Sequence, residues 1–120
     1  MAMLLDNNNK VISEVYLADT FFKKFLGLMF KKNIPEDLAY YFPKTSVIHM
    51  FFMRFKIDVV YLKTLSENTR KIRCRIVKIA NNIKPWLFSG SLKADSLLEL
   101  KAGSPAISKI KNNEIVTIKK

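Results

Sequence analysis

Ten consecutive residues near the middle of the chain, Arg70–Ile79, restrict the fold more than any other stretch. Apolar and basic side chains alternate there, with Ile72, Cys74 and Ile76 taking every second position and Lys71, Arg73 and Arg75 standing between them. Successive side chains of a β-strand point to opposite faces, so this period of two predicts a strand that is buried on one side only. The chain is therefore expected to be built mainly from β-strands, one of which carries a basic outer face.

Further segments favour strands because they are short, rich in β-branched or aromatic residues and bounded by turn-forming residues. These segments are Lys10–Ala18, Ile48–Leu62, Asp95–Gly103 and Ile115–Ile118. Ser66–Arg70 is typical of a hairpin loop, and Asn81–Trp86 is predicted to be a loop because a proline extends the residue before it. Strands at this spacing predict a mainly β fold, a small antiparallel jelly-roll-like sandwich or barrel.

One or two short helices are expected near the N-terminal third. Asp19–Phe30 places apolar residues at helical intervals behind a candidate N-cap. Asn33–Phe42 indicates a second helical turn, because a proline and two acidic residues occupy its first positions. Residues 1–9 are predicted to form a flexible N-terminal tail, and residues 10–120 a single β domain.

The 120 residues carry a formal net charge of +11. This charge predicts a polyanion partner, either nucleic acid or a phosphate-rich surface. The alternative is compositional, because many of the lysines are scattered singly or in pairs. The single cysteine excludes an internal disulfide, and no apolar run reaches the roughly 18–20 residues of a membrane span. A cytoplasmic protein is therefore expected.

The apolar run Ile48–Leu62 contains charged residues that resemble a binding site. Arg54 can act as an anion fork and Asp58 as its orienting partner or as a base, provided that the chain turns between them. In the structural alternative, Asp58 accepts hydrogen bonds from turn amides or pairs with Arg54 and fixes a strand corner. Glu99 either completes a pocket with Asp58 or takes an ordinary outward-facing position on its strand.

A loop with the sequence Lys-Pro-Trp adds two further candidates. Trp86 either presents a stacking face beside Lys84 or folds back as a lid over one end of the barrel. The ligand-binding candidates are thus Arg54, Asp58, Lys84, Trp86 and Glu99. We expect no metal site, cofactor or catalytic residue, because His49 lacks ligand partners at metal-site spacing and Cys74 lies on the predicted buried face.

The basic face of the Arg70–Ile79 segment is the best candidate for a partner surface. Its polyanion-binding candidates are Arg70, Lys71, Arg73 and Arg75. Side chains of this kind contact phosphates, although an aromatic platform for stacking bases is not apparent on the same face. The structural alternative is that positive charge protects an edge strand from pairing with other chains.

Several short motifs occur along the chain in a recognisable order. They are GLM (Gly27–Met29), Phe42, FFMRFKIDVVYL (Phe51–Leu62), KPW (Lys84–Trp86) and LELKAG (Leu98–Gly103). In this order they resemble domain-of-unknown-function family number 192, and the resemblance covers Val11–Ile118. It implies a jelly-roll-like sandwich or barrel with a short helix after the first strand, and it implies no catalytic residue set or cofactor. The chain departs from the family at Lys56, where a proline is common, and at Asn113–Glu114, where the family has a Gly-Asp turn.

These observations leave three classes of function. The favoured class is a non-catalytic binding or accessory protein for a small or anionic ligand. The alternative is a nucleic-acid or polyanion binder that acts through the basic strand. The third is an enzyme that uses Arg54, Asp58 and Glu99, which requires Asp58 and Glu99 to converge on one cavity. The oligomeric state does not follow from the sequence.

Overall fold

Nine strands and one 3₁₀ helix form the regular structure of the residues that the computed structural model describes, 2–18, 35–49, 55–84 and 88–120, without the side chains of His49 and Phe88. The strands are β1 (Ala2–Leu5), β2 (Val11–Leu17), β3 (Leu38–Pro43), β4 (Val47–His49), β5 (Ile57–Glu67), β6 (Lys71–Ile83), β7 (Phe88–Gly90), β8 (Ser96–Lys101) and β9 (Ile115–Lys119). The 3₁₀ helix spans Pro105–Lys109 and is capped by the Ser104 side chain.

Seven strands close into a barrel in the order β1–β2–β3–β8–β5–β6–β9, and β9 returns to pair with β1. Neighbouring strands are antiparallel except β2 and β3, which run parallel. β4 and β7 form a separate two-stranded antiparallel sheet. The prediction of a mainly β fold is confirmed. Of the two predicted architectures, sandwich and barrel, the chain forms the closed barrel.

β6 follows the alternation that the sequence predicts. Its apolar residues Ile72, Cys74 and Ile76 are buried, whereas the three basic residues that alternate with them, starting at Lys71, are exposed. The strand continues to Ile83, so the first half of the predicted Asn81–Trp86 loop is strand instead. The barrel wall thus carries its basic residues outward because the apolar half of the same strand lies in the core.

Two apolar clusters are buried on the two faces of the same strands. The interior cluster fills the barrel and receives Val60 and Leu62 of β5 together with Leu98 of β8. The outer cluster lies on the other face and contains the alternate residues, among them Tyr61 of β5 and Leu97 of β8. Because both faces of β5 and β8 are covered, these strands contain continuous apolar runs rather than a clean alternation.

The N-terminal predictions need two corrections. Residues 1–9 were expected to be a flexible tail, but Ala2–Leu5 forms β1, whose Leu4 is 1% exposed in the barrel interior. The second predicted helix, in Asn33–Phe42, is wrong for its described part: Glu36 and Asp37 form a turn, and Leu38 begins β3. Strand pairing on both sides of β3, to β2 and β8, outweighs the local helical signal. The first predicted helix, Asp19–Phe30, lies outside the described residues.

Candidate functional site

A groove of about 870 Å³ runs along the outer wall of the barrel over β1, β9 and β6. We call it the basic groove. It is lined by Met3, Leu5, Asp6, Asn7, Asn9, Val11, Asn68, Arg70, Lys71, Arg73, Ile115, Thr117 and Lys119. Its basic residues include Arg70, Lys71 and Arg73, which are three of the four polyanion-binding candidates that the sequence predicts.

Strand register arranges the groove residues in two rungs. Lys119 is paired with Met3 of β1 on one side and with Lys71 of β6 on the other, which makes the first rung. The second rung is Leu5, Thr117 and Arg73. Two residues along a strand separate the rungs, a distance of about 6.7 Å. Ile118, between Lys119 and Thr117 in sequence, is buried, so both rungs face outward.

Turns held by side-chain hydrogen bonds flank the two rungs. Beyond Leu5, Asp6 Oδ1 accepts hydrogen bonds from the backbone N–H groups of Asn8 and Lys10, at 2.8 and 2.9 Å. Before Lys71, Asn68 Oδ1 accepts from the N–H groups of Arg70 and Lys71, at 2.8 and 3.0 Å. Such Asx turns fix the backbone locally, so the ends of the groove are ordered before any ligand binds.

The groove is electropositive. Four cationic side chains line it, and Asp6 is the carboxylate among its described lining residues. Within the described parts of the chain, the ion pairs involve Lys63, Lys101 and Lys120 and none of the four groove cations. The Asp6 carboxylate is engaged by the amides of its own turn. The positive charge of the groove is therefore largely available to an anion.

Two residues differ from the sequence-based interpretation of the basic face. Arg75 does not line the groove, because its Nη1 donates to the carbonyl oxygen of Asn113 at 2.8 Å. Lys119 does line it, although nothing in the local sequence links the C-terminal lysines to β6. Only the β6–β9 register brings Lys119 opposite Lys71. The alternation of Ile115–Ile118 was the one available signal, because its continuation turns Lys119 outward.

The alternative role of the basic residues as edge-strand protection is wrong. β6 has a neighbour on both sides, pairing with β5 and with β9. A closed barrel leaves its strands without a free edge for positive charge to protect. The outward-facing positive charge of β6 therefore does not serve to block the addition of another strand.

The Asp58 carboxylate is held by hydrogen bonds from two backbone N–H groups. It accepts hydrogen bonds from the Asn82 N–H at 2.7 Å and from the Gly103 N–H at 3.0 Å, and the residue is 2% exposed. These contacts tie β5 to the end of β6 and to the turn after β8. The Gly103 contact matches the structural interpretation, in which Asp58 accepts turn amides, whereas the Asn82 donor lies at the end of β6. Arg54, the predicted partner of Asp58, lies outside the described residues.

Glu99 lies on the opposite face of the sheet from Asp58. Glu99 is paired with Val59 and Asp58 with Leu100, so the two carboxylates extend from opposite faces of the β5–β8 pair. Glu99 belongs to the face of the outer cluster, where Tyr40 of β3 is its other paired neighbour. Burial raises the pKa of the Glu99 carboxyl to about 8. Because the two carboxylates do not converge, they form no acid–base pair.

The remaining sequence candidates have few described contacts. Lys84 is exposed directly after β6, and Trp86 lies outside the described residues. Cys74 is fully buried, and burial raises the pKa of its thiol to about 12, so the thiolate needed for nucleophilic chemistry does not form near neutral pH. His49 belongs to β4, where its backbone is paired with Phe88.

A second cavity, of about 690 Å³, contains the Asp95 carboxylate, which already accepts hydrogen bonds from within the protein. Its lining includes Tyr41, Thr64 and Asp95. Burial acts to raise the pKa of Asp95, but hydrogen bonds from the Thr64 amide and hydroxyl and from Ser96, together with the Lys63 ammonium, outweigh it and lower the pKa. Since these donors satisfy Asp95, the cavity offers a ligand less unsatisfied charge than the basic groove.

The described segments offer neither a metal site nor a membrane-spanning helix. No group of three or more His, Cys, Asp or Glu residues in these segments is arranged to hold a metal ion. Nor do the same segments contain a helix of the length and hydropathy that crossing a membrane requires.

A protein-family model matches nearly the whole chain. The model of family DUF192, described as "Uncharacterized ACR", matches residues 3–118. Curated relatives carry the name UPF0127 protein. The protein from Thermococcus sibiricus is 38% identical over 78 residues, which are 62% of this chain and 45% of the relative. The Thermococcus kodakarensis protein is 31% identical over 108 residues, 87% of this chain and 64% of the relative.

A third relative, from Pyrococcus horikoshii, is 37% identical over 90 residues, which are 69% of this chain and 70% of the relative. The chain thus spans about half to two thirds of the length of the first two relatives. None of these names states an activity.

Solved structures share the fold. A protein from Sinorhizobium meliloti, described as a proposed transcription regulator, superposes with a TM-score of 0.74 at 17% identity, covering 96% of this chain and 89% of that one. A protein of unknown function from Novosphingobium aromaticivorans gives a TM-score of 0.68 at 20% identity, covering 96% and 81%. At these identities the likeness concerns the fold alone.

Proposed function

We propose, from the premise that this chain belongs to the DUF192 family of uncharacterised proteins, that it is a non-catalytic binding protein whose basic groove holds an anionic ligand. The observation that carries the proposal is the concentration of Arg70, Lys71, Arg73 and Lys119 in one concave surface. Cations placed around a concavity attract an anion more strongly than the same charges spread over a flat surface.

The positions of the charges support a binding role. Lys71 and Lys119 face each other across β6 and β9. Like charges directly opposite one another destabilise a sheet, whereas Lys paired with Glu would stabilise it. A bound anion removes this repulsion between the two lysines. Without an anion the repulsion has no benefit, because β6 is not an edge strand that needs protection from pairing.

A nucleic-acid or other polymeric polyanion remains the second candidate. It is favoured by the net charge of +11 and by the row of outward cations along β6. It is disfavoured by the engagement of Arg75 with Asn113 and of Lys78 Nζ with the Gly90 carbonyl oxygen at 2.8 Å. These contacts interrupt the row beyond the groove. An enzyme using Arg54, Asp58 and Glu99 is disfavoured, because the carboxylates of Asp58 and Glu99 do not converge.

The test compares Arg73→Glu with the matched control Arg75→Glu. Both residues lie on the outer face of β6, and the two variants change the net charge equally, but only Arg73 lines the groove. Pyrophosphate binding is measured by calorimetry, and a labelled oligonucleotide is titrated by fluorescence anisotropy at about 50–200 mM salt. We expect Arg73→Glu to weaken anion binding at least tenfold and Arg75→Glu to weaken it less than threefold. Equal losses, or no binding by the unmodified protein, would contradict the proposal.

A further inference from the structure

The basic groove is short because a turn flanks it at each end. β1 runs from the first rung, at Met3, to the second, at Leu5, and the Asp6–Lys10 turn follows directly. On the other strand, the loop containing Asn68 and Arg70 precedes Lys71 and so lies beyond the first rung. Residues of both turns line the groove. Its volume of about 870 Å³ falls within the roughly 300–1,000 Å³ typical of small-molecule sites.

Positive charge is concentrated within this short length. Lys71 and Lys119 share the first rung, Arg73 stands on the second, and Arg70 extends from the adjoining loop. Three of these cations therefore lie on two rungs about 6.7 Å apart. Proteins that follow a nucleic-acid backbone spread their contacts further, over about six to ten phosphates in a duplex or at least about four nucleotides in a single strand. Two rungs instead suit two adjacent phosphate groups.

The rest of the groove suits an uncharged body attached to those phosphates. Met3, Leu5 and Ile115 provide a partly buried apolar floor. Asn7 and Asn9 from one turn and Asn68 from the other bring carboxamides to the ends. Apolar surface with a few polar groups at its margin is the usual lining of a small-molecule site.

We propose that the basic groove binds a phosphorylated small molecule of nucleotide size, such as a nucleoside diphosphate, and not a nucleic-acid polymer. Lys71, Lys119 and Arg73 contact the phosphates, and the floor around Ile115 contacts the heterocyclic body. This inference rests on the proposed function, because it specifies the ligand of the same groove.

The experiment titrates the full chain with orthophosphate, pyrophosphate, a nucleoside diphosphate and single-stranded oligonucleotides of increasing length. We expect pyrophosphate to bind at least tenfold more tightly than orthophosphate, and the nucleoside diphosphate more tightly again. Binding of oligonucleotides is expected to reach a plateau at dinucleotide length. Ile115→Ala should reduce the advantage of the nucleoside diphosphate over pyrophosphate at least threefold while leaving pyrophosphate binding within twofold.

The outcomes separate the two proposals. If affinity keeps rising with oligonucleotide length and the logarithmic salt slope becomes steeper than about −3, the value for four single-stranded phosphates, the groove serves a polymer. The small-ligand inference then fails and the second candidate function, a polymeric polyanion binder, is supported, while the groove is still the anion-binding site. Equal affinity for orthophosphate and pyrophosphate also overturns the inference. If none of the anions binds, the proposed function fails together with it.

Discussion

Asp58 and Glu99 lie on neighbouring strands, yet their carboxyl groups have opposite environments. Asp58 gains two backbone N–H donors, from Asn82 and Gly103, which compensate for the loss of hydration. Both donor residues have positive φ, 54° for Asn82 and 79° for Gly103, a conformation that is uncommon for Asn but readily adopted by Gly. For Glu99, burial is the dominant effect, and it disfavours the charged form. The Asp58 carboxylate thus joins the end of β6 and the turn after β8 to β5, whereas the Glu99 carboxylate destabilises the fold when it ionises.

This destabilisation makes the stability depend on pH. In the folded protein Glu99 keeps its proton up to a pKa of about 8, whereas its ordinary pKa is 4.5. The folded state binds more protons between these values, so the free energy of unfolding should fall as the pH rises from about 4.5 to 8. We expect Glu99→Gln to remove this loss and to be more stable than the unmodified protein at pH 8.5, by on the order of 2 kcal/mol, with little gain at pH 4.5.

Urea unfolding at both pH values checks this prediction, with Glu14→Gln on the exposed side of β2 as the control. A Glu99→Gln effect that is the same at both pH values would show that Glu99 has no raised pKa.

Pairing between β6 and β9 provides a prediction at the level of strands. Lys119→Glu turns the repulsive Lys71–Lys119 rung into an attractive one, so it should raise the free energy of unfolding by about 0.2–1 kcal/mol. The same change should weaken pyrophosphate binding at least tenfold. Lys120→Glu is the control, because it changes the charge equally but removes the 3.1 Å ion pair with Glu67. Urea unfolding at low salt and at about 1 M salt measures the effect, which screening should largely abolish. A destabilised Lys119→Glu variant would contradict the prediction.

The same two strands show how far sequence predicts this fold and its site. The alternation in β6 is local, and it correctly predicted both the buried face and the exposed cations. The contribution of Lys119 depends on the register between strands far apart in sequence, which periodicity does not contain. Local signals in Asn33–Phe42 predict a helical turn, but Leu38–Pro43 forms β3, because its pairing with β2 and β8 needs distant partners that local signals do not contain. Local patterns thus predicted strands and faces, whereas barrel order and the groove arise from long-range pairing.

Closure of the whole barrel depends on β1, which also builds the site. β1 pairs with β2 and β9, and it supplies Met3 and Leu5 to the groove while burying Leu4 inside. Removal of residues 1–5 should therefore open the barrel and expose edges on β2 and β9. Burial of Leu4 alone accounts for about 2–5 kcal/mol, so the shortened chain should be strongly destabilised. Exposed edges pair readily with other chains, and self-association should follow.

The test of this last prediction separates loss of closure from loss of side chains. The chain shortened by residues 1–5 is compared with Met3→Ala/Leu5→Ala, which keeps the backbone of β1 and alters only its outward side chains. Hydrogen exchange should become faster in β2 and β9 of the shortened chain but stay slow in the double variant, and light scattering should detect association only in the former. Pyrophosphate binding should be lost in the shortened chain, because both rungs then lack their β1 residues and Lys119 lies on an unpaired edge. A monomeric shortened chain with unchanged exchange in β2 and β9 would mean that β1 is dispensable for the barrel.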